Sequence, residues 1–227
     1  MPNIDSTNLS NTDSLNAWQV KFKQFVLQQM DTDPAHDIAH IERVVSSGIQ
    51  LAKSESADLS IVIPACWLHD CVNVDKKSPL RNQGSRLSAD RAIEYLTEIN
   101  YPEQHFSAIH HAIAAHSFSA NIATQSIAAQ VVQDADRLDA LGAIGMSRCL
   151  MLGGSWGSSL YDPLDPFAQA RDLDDRKICI DHFFTKLQGL VDTMKTSAGL
   201  LEAQSRWKFM EVYLEQLSHE IGVENKR

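Results

Sequence analysis

Apolar residues recur at steps of three and four along most of this chain, and no stretch alternates convincingly at a step of two. Side chains spaced this way share one face of a helix, whereas a half-buried strand needs a period of two. The cleanest runs are Ile180, Phe184, Leu187, Val191 and Met194, then Ala203, Trp207, Met210, Leu214 and Leu217. Leu15, Trp18, Phe22, Phe25 and Val26 make another, and His40, Val44, Gly48 and Leu51 share a face further on. Helical patterns also cover Ser88–Glu98, Glu103–His116 and Ile122–Leu150. The expectation is an all-α fold of about eight or nine helices.

Breakers divide the pattern. Asp31-Thr-Asp-Pro34 ends the first helix, and Pro34 and Asp37 suit the start of the next. Asp58 is placed to cap a helix that runs into Trp67-Leu68-His69-Asp70, with Pro64 awkward inside it. Gly and Pro cluster from Gly153 to Pro166, so a long loop is expected over 153–176 with Trp156, Tyr161 and Phe167 on it. Residues 1–13, rich in Asn, Ser, Thr and Asp, read as a flexible tail. Residues 14–227 read as a single domain with the C-terminal helices packed on its core; 227 residues suffice for one.

Charge and composition remove several functions. The net charge is −9 and there is no long run of Lys or Arg, which argues against a duplex nucleic-acid partner and an anionic membrane surface. No apolar run approaches the roughly 20 residues of a membrane span. The N-terminus has no signal-peptide pattern. The four cysteines form no CxxC pair and read as reduced core residues, so the expected location is cytoplasmic.

The chemistry concentrates in a few polar residues set in apolar helices. The stretch ACWLHDCVN (65–73) places His69 and Asp70 at the end of an apolar helix. A buried carboxylate beside an imidazole is costly without a compensating partner. His40 lies on another apolar face, and Asp134, Asp136 and Asp139 crowd one later helix. Two imidazoles and two carboxylates form a mixed nitrogen and oxygen set that suits Mn, Mg, Co, Ni or Fe ahead of Zn. At roughly 100° per residue, Asp136 and Asp139 lie about 60° apart and Asp134 about 160° from Asp136. Geometry alone leaves both Asp136 and Asp139 open.

Four segments in order, HDIAHIERV (36–44), ACWLHDCVN (65–73), HAIAAHSFS (111–119) and QDADRLDALGAIG (133–145), resemble the HD-domain metal-dependent phosphohydrolases. The resemblance is to the small stand-alone bacterial branch, YedJ-like, and covers nearly the whole chain. It implies an all-α HD-domain helical bundle. It implies one divalent cation held by His40, His69, Asp70 and Asp136, the last chosen because it precedes Arg137. It implies attack of activated water on phosphorus in a small phosphorylated metabolite, a nucleotide first among them, with pyrophosphohydrolase or phosphatase outcome. Asp70, His111 and His116 are the catalytic candidates, the histidines as proton donor or phosphate contact. Lys76, Lys77, Arg81 and Ser85 follow the doublet and are placed to meet phosphate; His36, His182 and Lys186 are further substrate candidates. The alternative is a non-catalytic nucleotide-sensing or partner-binding module, against which the full ligand set counts. Oligomerisation through the C-terminal helices is open.

Overall fold

The computed structural model describes residues 6–29, 38–74, 78 and 81–227, with side chains of the first helix described from residue 15. Among them the chain is all-α. Nine α-helices are found: α1 (Ser6–Gln29), α2 (Ile38–Glu55), α3 (Leu59–Leu68), α4 (Gly84–Glu98), α5 (Phe106–His116), α6 (Ile127–Leu138), α7 (Gly142–Ser155), α8 (Gln188–Val191) and α9 (Ser197–Ile221). The only extended pairing among the described residues is one isolated bridge, Ser159 with Ile178. The backbone is helical from Ser6, inside the stretch read above as a tail. The chain forms two compact units, residues 1–135 and 136–227, with the boundary inside α6.

The first unit is built around α3. Every residue from Val62 to Leu68 is buried, so this helix has no solvent face and is packed by others on all sides. It packs against α1, α2, α4 and α5. Asp58 caps it as expected, its Oδ1 accepting from Ser60 N at 2.8 Å. Pro64 sits inside and supplies no N–H to the carbonyl of Ser60 four residues back. Tyr101 replaces that donor: its hydroxyl donates to Ser60 O at 2.7 Å. Gly48 of α2 lets the two helices approach, since a Cβ there would meet Cys66 Sγ at 2.6 Å and Ala135 Cβ of α6 at 3.7 Å. The consequence for function is placement. The C-terminal end of α3 opens inside the core, and His69 and Asp70 follow directly.

In the second unit α7 and α8 pack on α9. The pattern read as one helix over 122–150 is two, because Gly142 takes φ +71° and turns the chain between α6 and α7. The penultimate stripe also differs. Residues Phe183–Leu187 form a π-helical turn that leads into α8, and the buried set is Ile180, Phe183, Leu187 and Leu190. The wider turn shifts the inward register, so Phe184 and Val191 are only half-buried. In α9, Ala203, Met210, Leu214 and Leu217 are buried as the spacing predicts. The loop between α7 and the π turn is tied internally. Arg171 donates to both carboxylate oxygens of Asp181, at 2.6 and 2.8 Å, and Asp165 accepts from the backbone N–H of Gln169, Ala170 and Arg171. Phe167 is fully buried beneath it while Trp156 is exposed.

Candidate metal centre

Two helices of the first unit end on a histidine that uses its own last turn. His69 follows α3, and His116 is the last residue of α5. Each Nδ1 lies against the carbonyl three residues back: His69 on Cys66 O at 2.8 Å, His116 on Ile113 O at 2.7 Å. A helix leaves its final carbonyls without intrahelical donors, which makes them available to these rings. A carbonyl only accepts, so Nδ1 carries the proton in both rings. Nε2 is then the lone-pair nitrogen whenever the ring is neutral.

Both Nε2 atoms face one carboxylate. His69 Nε2 lies 3.5 Å from Asp70 Oδ2 and His116 Nε2 lies 3.5 Å from Asp70 Oδ1. The rings of His69 and His116 stand nearly perpendicular with centroids 4.9 Å apart, and His40 approaches His69 at 5.5 Å. His40, His69 and His116 are buried, whereas the Asp70 side chain keeps about a third of its surface open. Burial works against charge on Asp70, but His69, then His116 and His40, outweigh it and hold the carboxyl well below the usual range.

The rings support the Asp70 charge only while they are positively charged; with both neutral, two lone pairs face the carboxylate and repel it. A cation between them resolves the conflict, and one ligand atom from each of His69, Asp70 and His116 lies within 4.8 Å of the others. The outer hydrogen bonds match what a metal-bound imidazole requires, with the far N–H anchored on a carbonyl. Two helix C-termini also converge here, and their dipoles favour positive charge. The residues therefore fit a divalent ion.

Several of the remaining candidates are engaged in other contacts. Asp139 is buried and taken up by an ion pair with Arg148. Asp136 is partly exposed on α6, next to Ala135, the residue that packs near Gly48. His111 is used elsewhere: its Nε2 accepts from Gln125 N at 3.0 Å. Ser85 is buried and donates to Ala114 O at 2.9 Å, an interior contact. Arg81 is exposed at the start of a short turn, Arg81–Gln83. In the second unit His182 pairs with Asp175 at 2.9 Å, and Lys186 lies exposed one turn on. His36, Lys76 and Lys77 lie outside the described residues.

Sequence reasoning named Asp70 and His116 among the catalytic candidates but did not place the His116 ring against the Asp70 carboxylate. The signal was present: each histidine closes an apolar helix, and each follows a small or apolar residue run. Cys71, next to the doublet, is an inert neighbour, since burial and then the Asp70 charge push its thiol up to about 12.

Comparisons with known proteins place the chain in a family. The HD domain family model matches residues 37–141. The chain is similar to the uncharacterized protein YpgQ of Bacillus subtilis, 32% identical over 195 residues that span 84% of this chain and 87% of that protein. Its fold is similar to the crystal structure of an HD-superfamily hydrolase from Bacillus thuringiensis, with 31% identity, a TM-score of 0.73 and coverage of 92% of this chain and all of that one. The crystal structure of YpgQ in complex with ADP gives a TM-score of 0.69 at 32% identity, over 89% of this chain and 97% of that one. The chain belongs to the HD-domain family and has the fold of its hydrolases.

Proposed function

We propose that this protein is a metal-dependent phosphohydrolase for a small phosphorylated metabolite, with nucleotides the first substrates to test. The observation that carries it is the pair of anchored imidazoles facing Asp70, a donor set built for a divalent cation. His40, His69, Asp70 and Asp136 would hold the ion, with His116 at its edge against Asp70. Mn, Mg, Co, Ni or Fe suits these ligands better than Zn, since no thiolate takes part. When bound, the ion supplies Lewis acidity, lowering the pKa of water and drawing charge from a phosphoryl oxygen.

The chain's own residues supply positioning. His69 and His116 are locked in one tautomer by their carbonyl partners, so their lone pairs need no reorganisation. Asp70 stays ionised through the working pH range and carries the negative charge of the centre. Arg81, together with Lys76 and Lys77, is the natural source of positive charge for nonbridging phosphate oxygens, because phosphoryl transfer needs charge neutralisation and alignment more than covalent chemistry. The nucleotide class draws support from the relative YpgQ, which was crystallised with ADP.

The test is hydrolysis of a ribo- and deoxynucleotide panel by chelator-stripped protein with Mn, Mg, Co or Ni restored singly. Orthophosphate and pyrophosphate are detected separately. Metal-dependent release is expected, with at least a 100-fold loss in Asp70→Ala and weaker Mn binding in the same variant. Stoichiometric metal binding without turnover would favour a ligand-sensing module instead.

A further inference from the structure

The candidate centre joins two segments that are far apart in sequence, the turn after α3 and the end of α5. Helix α4 touches both. Ser85 and Ser88 lie three residues apart on it, on one face, and both are buried. Ser88 grips the chain just past Asp70: its Oγ accepts from Val72 N at 3.2 Å, and its carbonyl accepts from the Cys71 thiol at 3.4 Å. Ser85 grips the end of α5, donating to Ala114 O two residues before His116.

The α5 terminus is unusual in how its carbonyls are satisfied. Ile113 O takes the His116 Nδ1–H, Ala114 O takes the Ser85 hydroxyl, and Ala115 O takes Gln133 Nε2 at 2.8 Å. Three consecutive carbonyls of the last turn are thus held by side chains from α5, α4 and α6. The Gln133 amide has a forced orientation, because Ala115 O accepts only; its Oε1 is left buried with no hydrogen-bond partner among the described residues. A helix end normally frays. This one is fixed from three sides.

We propose that Ser85, Ser88 and Gln133 are positioning residues that clamp the two halves of the metal centre, setting the distance from Asp70 to His116. The proposal rests on the metal reading above. None of the three touches the ion. Ser88 acts through Asp70 and its neighbours; Ser85 and Gln133 act through His116.

Mn²⁺ affinity by chelator competition on the full chain tests this, with thermal melting of the metal-free proteins alongside. Ser85→Ala, Ser88→Ala and Gln133→Leu should each weaken Mn²⁺ binding about tenfold. Ser85→Cys and Ser88→Cys, which keep a weak polar atom at the same reach, should recover part of it and carry the comparison if an Ala variant does not fold. The decisive arm is a double-mutant cycle. In a His116→Ala background Ser85→Ala should have no further effect, while Ser88→Ala should still weaken binding. Mn²⁺ affinity unchanged in all three single variants would overturn the clamp alone. Equal loss from Ser85→Ala with and without His116 would overturn its route through that ring. Wild-type protein that binds no Mn²⁺ would overturn the metal reading and the clamp's purpose with it.

Discussion

Single residues settle this chain's polar accounts, often from far away in sequence. Tyr101 and Pro64 are the sharpest case. Pro64 removes one helical N–H, and the Tyr101 hydroxyl satisfies the orphaned Ser60 carbonyl. Tyr101→Phe should therefore cost about 1 kcal/mol in urea unfolding, the penalty of a partly buried carbonyl left without a donor. The same change in a Pro64→Ala background should cost clearly less, because the restored N–H takes over. Equal costs in both backgrounds would show that the hydroxyl does something else. The sequence marked Pro64 as awkward but said nothing of its remedy. A hydroxyl 37 residues beyond proline leaves no periodic trace. Asp139 is similar: spacing alone kept it open as a ligand, and its ion pair with Arg148 left no trace in the spacing.

Among the elements, helix ends matter more than helix faces. The apolar faces of α1, α2 and α9 follow the three-and-four spacing. The ends do not, since the last turn has no periodicity and its carbonyls go to whichever donor packs nearby. That is why the sequence offered His116 as a catalytic candidate and Ser85 as a phosphate contact without showing the buried helix-end bonds that both make. The long loop before the π turn offers a pH test of the same kind. Asp175 accepts from His182 and from the Thr185 hydroxyl, and these bonds, with the His182 bond foremost, lower its pKa against the cost of burial. The folded value lies below the unfolded one, near 4. Its contribution is therefore fully present above that pH and is lost as pH falls through the folded value. Asp175→Asn should lower the melting temperature at pH 7 and have a shrinking effect below about pH 4. An effect that does not vary with pH would assign the residue a purely steric role.

At the scale of the whole molecule the proposed metal centre would link binding to stability. An ion that binds only the folded chain stabilises it by mass action, by about 2.7 kcal/mol at a hundred times its Kd. Adding Mn²⁺ to stripped protein should raise the melting temperature, and chelator should reverse the gain. Asp70→Ala should melt at one temperature with or without Mn²⁺; a retained shift would place the ion elsewhere. The amino-acid order by itself determined the all-α class and the family and supplied the candidate ligands, because helical period and the spaced His, His-Asp and Asp segments are local properties of the chain. Only the tertiary structure decided that His116 faces Asp70, that Ser85 and Gln133 hold its helix end, and that Pro64 is rescued by Tyr101. Those are distances between segments tens of residues apart, and packing alone sets them.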